Sequence, residues 1–203
     1  PPDYRDIVDR RWRPLSEVIA ERHEGRPLVV GINGSQGSGK TTLCHFLEAL
    51  LLEHNQRAVT VSLDDLYLTH RERQALAANC HPLFATRGVP GTHDVALGQS
   101  ILDTLVDGLP VGLPRFDKAI DDRSPEVFEV LARNDVILLE GWCVGALPQP
   151  EAALVEPVNR LEAEEDPEGT WRREVNHRLA ADYADFFGRI DLLVIFEVDG
   201  FEA

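Results

Sequence analysis

Residues 34–41 read Gly34-Ser35-Gln36-Gly37-Ser38-Gly39-Lys40-Thr41, a match to G-x-x-x-x-G-K-[ST], and few folds can accommodate that loop. It demands a strand before it and a helix after it. The preceding run Leu28-Val29-Val30-Gly31-Ile32 is nearly continuous in apolar character, as a central parallel strand covered on both faces requires. After the loop, Thr42 to His54 places Leu43, Phe46, Leu47, Leu50 and Leu51 at helical spacing, so one face packs back on the sheet. Glycines let the backbone N–H groups turn inward, and the helix start adds the positive end of its dipole. A loop of this kind is built to cradle an anion.

The same alternation continues along the chain. A second strand runs from about Ala58 to Leu63 and stops at Asp64-Asp65, a third from Val136 to Leu139 stops at Glu140-Gly141, and a fourth covers Leu192 to Val198. Helical patterns fall near Arg71 to Asn79, Val95 to Asp107 and Trp171 to Phe187. The predicted class is α/β: a three-layer α/β/α domain of the P-loop NTPase type, with a mostly parallel central sheet and a single domain over residues 1–203. A turn-rich link, His81 to Thr92, and an irregular segment, Leu109 to Pro125, are long for mere connections, and such loops at the carboxyl edge of a parallel sheet carry ligands. Residues 147–170 are rich in Pro, Glu and Asp with weak periodicity, which reads as a mobile surface excursion, either a lid or a linker.

The expected nucleotide-binding set is Gly34, Ser35, Gln36, Gly37, Ser38, Gly39, Lys40, Thr41 and Thr42, with ATP and Mg²⁺ as the implied cofactors. Lys40 reaches the terminal phosphates and Thr41 ligates the metal. A P-loop alone leaves kinases, GTPases, motor ATPases and nucleotide-gated binding proteins all open. The acids at the strand ends narrow the choice. Glu140 is placed to hold Mg²⁺ directly or through water, or else is a solvated loop acid. Asp64 is the candidate base for an acceptor hydroxyl, and a third metal-site candidate beside Thr41 and Glu140; its alternative role is to cap the following turn. Lys40, Asp64 and Glu140 are thus the expected catalytic residues.

Charge directs the search for an acceptor. Acidic residues outnumber basic ones by 35 to 20, a formal charge of −15, so nucleic acid is an unfavourable partner and any bound anion must meet a local cluster of cations. Arg87, Arg115, Lys118 and Arg123 supply such cations within the two long segments, while His93, Asp94 and Asp117 are placed to orient hydroxyl groups. Asp94 is equally suited to cap the helix that follows, and Arg123 to a surface ion pair with its acidic neighbours. Tyr67 and Trp142 stand just past strand ends, as pocket walls or as packing. Arg172, Arg173 and Arg178 read as a solvated helix face. Three cysteines, Cys44, Cys80 and Cys143, show no metal-ligand spacing and suit a reduced, cytoplasmic setting; no apolar run is long enough to cross a bilayer. The chain lacks methionine, so residues are expected to precede Pro1.

Taken together, Gly34 to Thr41, Ser62-Leu63-Asp64-Asp65-Leu66-Tyr67, Arg87-Gly88, Gly91-Thr92-His93-Asp94, Pro114-Arg115-Phe116-Asp117-Lys118 and Leu139-Glu140-Gly141-Trp142 resemble the D-glycerate 3-kinase family. That family falls within the phosphoribulokinase, uridine kinase and pantothenate kinase group. The resemblance covers roughly Leu28 to Val198 and implies transfer of the γ-phosphoryl group of Mg-ATP to D-glycerate, with Asp64 at the base position and Glu140 at the metal-associated acid. The expected acceptor-binding residues are Asp65, Tyr67, Arg87, His93, Asp94, Arg115, Asp117 and Lys118, although strand geometry points Asp65 away from Asp64 and suits it to cap the following turn. Leu66 stands where the family pattern usually has Phe. Family members continue beyond the last strand with arginine-bearing helices, so a C-terminal extension past Ala203 is expected. A nucleoside or pantothenate kinase, and a nucleotide-binding regulatory protein that transfers nothing, are the alternative readings.

Overall fold

The computed structural model describes residues 4–131 and 133–197. Four parallel strands form the central sheet in the order β2-β5-β1-β6, where β1 is Leu28–Asn33, β2 Ala58–Ser62, β5 Val136–Gly141 and β6 Leu192–Ile195. The Val198 end assigned to the last strand lies outside the described residues. Register is set by pairs such as Val30 with Leu138, Val61 with Leu139 and Gly31 with Leu193.

Alternation along the strands divides the core in two. Val29, Val59, Val61, Ile137 and Leu139 point to one face, where Ile101, Leu102, Leu105, Tyr183, Phe186 and Phe187 cover them. Leu28, Val30, Ile32, Val136 and Leu138 point to the other, against Leu43, Leu47, Leu50 and Leu51 of the helix Lys40–Glu53 and Trp12 and Ile19 beside or on the helix Arg13–Arg22. Strands buried on both faces need near-continuous apolar runs, and β1 and β5 have them. The result is a three-layer α/β/α fold of the P-loop type with a mostly parallel sheet.

Helices at His70–Asn79 and Val95–Val106 begin at side-chain caps. Thr69 and Glu72 form a reciprocal capping box, and Asp94 accepts the Leu97 N–H at 3.0 Å. Gly98 lets the second helix approach closely: a Cβ there would stand 2.8 Å from Phe186 and 2.9 Å from Leu66.

Two segments and one arginine differ from the sequence expectation. Leu109 to Pro125 is not irregular; it belongs to an antiparallel hairpin of β3, Val111–Asp117, and β4, Asp122–Val130. Two prolines concealed the alternation, and an isolated ribbon with a register shift between Pro114 and Phe116 tolerates them. The pattern Trp171 to Phe187 is two helices, Thr170–Ala180 and Asp182–Phe187, separated at Ala181 (φ −106°, ψ −103°). Arg172, expected on a solvated face, is 6% exposed. It pairs with the 1% exposed Asp166 at 3.1 Å and donates to the Leu154 and Val155 carbonyls. This anchor holds residues 147–170, which contain a 3₁₀ turn, Glu151–Leu154, and a short helix, Arg160–Glu165.

Candidate active site

Because all the sheet strands run parallel, the carboxyl ends of β1, β2 and β5 open on one edge, where α/β folds bind ligands. There the structure forms a cleft of about 690 Å³ lined by Ser35 to Gly37, Lys40 and Thr41 of the loop and by Asp64, Tyr67, Arg87, Lys118, Glu140 and Trp142, with Gly34, Ser38 and Gly39 outside the lining.

The glycine loop is shaped to receive an anion. Gly37 and Gly39 sit in the left-handed region at φ 79° and 92°, and a Cβ on either would meet nothing within 4 Å, so it is the backbone turn rather than crowding that calls for glycine there. The Ser38 hydroxyl is buried without a protein partner, and the helix Lys40–Glu53 begins directly behind it. Lys40 folds across the loop and donates to the Ser35 carbonyl at 2.9 Å. Left-handed glycines, a helix N-terminus, a lysine and an unpaired hydroxyl fit a polyphosphate.

Glu140 lies within β5 rather than beyond it, and is 6% exposed. Its Oε1 accepts from Thr41 at 3.3 Å and from Ser62 at 2.8 Å. Ser62 did not stand out in the sequence; its place two residues before Asp64, at the end of an adjacent strand, was the available signal. Among the described residues no three His, Cys, Asp or Glu side chains form a metal cage. A Mg²⁺ ion would therefore draw on the Thr41 hydroxyl, the Glu140 carboxylate, water and phosphate oxygens, a donor set that suits a hard octahedral cation.

Asp64 follows β2 on a 3₁₀ turn, Leu63–Leu66. Its Oδ2 receives Lys118 at 2.6 Å and its Oδ1 receives the Tyr67 hydroxyl at 3.1 Å. Burial acts to raise its pKa, but the Lys118 ammonium and then the Tyr67 hydroxyl prevail and hold it below the ordinary carboxylate range. Burial first, and the Asp64 charge second, push the Tyr67 phenol well upward, so it stays a donor. Lys118 arrives on the turn between β3 and β4. Asp121 in the same turn (φ 55°) accepts from buried Arg73 at 2.9 Å through its carboxylate and 2.6 Å through its carbonyl. Asp121 also pairs with Arg87, whose guanidinium stacks 5.6 Å from the Phe116 ring. Trp142 donates to the Gly88 carbonyl at 2.9 Å. Nothing in the sequence singled out Asp121.

The other expected acceptor residues lie outside the lining of this cleft. Asp65 accepts the Phe116 N–H at 3.0 Å and Arg115 at 2.7 Å, which fastens the hairpin to the 3₁₀ turn. Asp117 accepts the Ala119 N–H at 2.8 Å within its own turn. Asp94, the helix cap, also receives Arg123 at 2.9 Å, and Arg123 donates to the Tyr67 carbonyl, so that arginine braces the site rather than pairing with its neighbours. His93 is buried behind Tyr67, its ring stacked at 4.5 Å. Thr42, in the first turn of the helix Lys40–Glu53, is half-buried and also outside that lining. Cys44 and Cys143 are buried free thiols, with burial pushing Cys143 up to about 12, so neither is a nucleophile at neutral pH.

Residues 12–88 match the KAP family P-loop domain. The chain is 38% identical over 204 residues to the uncharacterized kinase mug58 of Schizosaccharomyces pombe, covering 94% of this chain and 71% of that one. It is 35% identical over 188 residues to the chloroplastic D-glycerate 3-kinase of Arabidopsis thaliana, covering 85% of this chain but only 38% of the plant protein's length. The solved structure of D-glycerate 3-kinase from Cryptococcus neoformans matches with a TM-score of 0.79 at 29% identity, over 96% of this chain and 74% of that one. Fold, nucleotide cradle and relatives converge: the chain belongs to the family of P-loop kinases that includes D-glycerate 3-kinase.

Proposed function

We propose that this protein transfers the γ-phosphoryl group of Mg-ATP to a hydroxyl of D-glycerate, acting as one P-loop kinase domain. The observation that supports this reading most directly is that one cleft holds the anion-binding loop, a carboxylate and two cations beyond it, Arg87 and Lys118. When bound, Mg-ATP supplies the transferable phosphoryl group and the metal's charge neutralisation. The amides at Gly37 and Gly39 and the Lys40 ammonium hold the phosphates, while Thr41 and Glu140 are the residues to position the metal. Asp64 takes the proton of the attacking hydroxyl, and Tyr67, fixed as a donor, orients that carboxylate. Arg87 and Lys118 receive the carboxylate of the acceptor. Lys118 is 51% exposed and already pairs with Asp64, so an incoming carboxylate competes for the same ammonium and leaves the base free to accept a proton. Asp65, Arg115, Asp117, His93 and Asp94 act on the acceptor through the elements they fasten. The acidic surface disfavours a nucleic-acid acceptor. Among the described residues no helix is long and apolar enough to cross a membrane, and we place the protein in the cytoplasm.

A coupled assay of ADP release with D-glycerate, uridine and pantothenate, each with ATP and Mg²⁺, tests the reading. Turnover with D-glycerate well above the others is expected. Turnover only with uridine or pantothenate would replace the acceptor, and none with any of them would refute the assignment.

A further inference from the structure

Tyr183, on the short helix Asp182–Phe187, is 1% exposed and far along the chain from the cleft residues, yet its hydroxyl ends beside His93, directly behind the cleft residue Tyr67. The hydroxyl accepts the Gly91 N–H at 3.0 Å and lies 2.6 Å from Nδ1 of His93. Two proton placements are conceivable. If His93 donated from Nδ1, both the tyrosine proton and the Nε2 lone pair would lack partners in a buried site; if Tyr183 donates, only the Nε2 proton is left over. The second placement leaves fewer unmet groups, so His93 carries its proton on Nε2. Burial keeps the ring neutral by driving its pKa down to about 3, against a smaller opposing pull from Asp64. His93 in turn is the platform for Tyr67. The rings stack at 4.5 Å with an interplanar angle of 20°, and the backbones are tied on both sides by Leu68 N–H to Thr92 O at 2.9 Å and Asp94 N–H to Leu66 O at 2.7 Å. The far edge of Tyr67 is the hydroxyl that donates to Asp64. The other partner of Asp64, Lys118, is half exposed on a turn and cannot define its direction alone.

We infer that Tyr183 is a positioning residue for phosphoryl transfer: it fixes the His93 ring, His93 fixes Tyr67, and Tyr67 aims the Asp64 carboxylate at the acceptor hydroxyl. This rests on the reading of Asp64 as the base. In the full-length protein, Tyr183→Phe removes one oxygen and keeps the ring. With ATP and D-glycerate, kcat is expected to fall on the order of tenfold with the KM for ATP unchanged. In a Tyr67→Phe background the same substitution should cost little more, because the two act along one line of contacts. An unaltered kcat, or losses that simply add in the double variant, would overturn the inference. Asp64→Asn separates the two failures. Turnover that survives Asp64→Asn defeats the base assignment itself, whereas a dead Asp64→Asn beside a fully active Tyr183→Phe defeats only the positioning role. Should Tyr183→Phe not fold, side-chain ¹⁵N NMR of the wild-type protein decides the matter. A neutral His93 protonated on Nε2 across about pH 5 to 8 supports the inference; an Nδ1-protonated ring or an imidazolium in that range overturns it.

Discussion

Asp64 is held by two partners of unlike character, a buried phenol and a half-exposed ammonium, and they control different properties of the carboxylate. The phenol governs direction and the ammonium governs proton affinity. Replacing Lys118 by Met leaves burial unopposed by its strongest counterweight, so the Asp64 pKa rises. The base role proposed for Asp64 requires the deprotonated form; the acid limb of kcat/KM should therefore move to higher pH in Lys118→Met, and an unmoved limb would show that this pair does not set it. The same variant should raise the KM for D-glycerate severalfold while leaving that for ATP alone. Residue-scale legibility followed the chemistry of spacing. Lys40, Thr41, Asp64 and Glu140 could be placed together at the cleft because a motif or a strand end marks them. Asp65, Arg115 and Asp117 were assigned toward the acceptor because sequence places them beside Asp64 and Lys118, but a turn reverses direction within one or two residues. Ser62, Asp121 and Tyr183 carried no local mark, since each matters through a partner distant in the chain.

The hairpin of β3 and β4 behaves as a bracket whose turn delivers Lys118 to one side and Asp121 to the other. Asp121 adopts a left-handed backbone, which asparagine also tolerates, so Asp121→Asn keeps the turn while removing the charge that Arg73 and Arg87 share. The expected result is a several-fold higher KM for the acceptor, read in steady-state kinetics, with the KM for ATP unaffected. At the other end of the molecule, the Arg172 and Asp166 pair anchors residues 147–170 with almost no water contact. Arg172→Met removes the cation beside a buried carboxylate, leaves it the backbone N–H donors of residues 171 and 172, and should lower the unfolding free energy by about 3 kcal/mol, measured as a reduced urea midpoint at constant slope. Elements with a clean period were legible and those without were not. The helix Val95–Val106 shows an apolar face at helical spacing, whereas β3 and β4 carry prolines and expose most of one strand. The break at Ala181 lies inside a continuous helical pattern and is imposed by packing, because Tyr183, Phe186 and Phe187 must face the sheet.

At the scale of the whole molecule, the class of fold was legible because burial on both faces writes near-continuous apolar runs into the two central strands, β1 and β5. The order β2-β5-β1-β6 was not, since parallel strands of similar composition carry no record of their neighbours. Nucleotide binding should stabilise this entire body. ATP with Mg²⁺ at about 100 times its Kd is expected to add about 2.7 kcal/mol, seen as a raised Tm, and Lys40→Ala should abolish the rise. The sheet's topology carries one more implication. The phosphate loop, the carboxylate at 64 and the glutamate at 140 hang from three strands that share no turn, and two of those strands meet only through the third. No fragment of the chain can therefore assemble the chemistry early. On dilution from denaturant, regained turnover should trail helix formation and arrive only with the last long-range pairing, which makes enzymatic activity a clock for the closing event of folding.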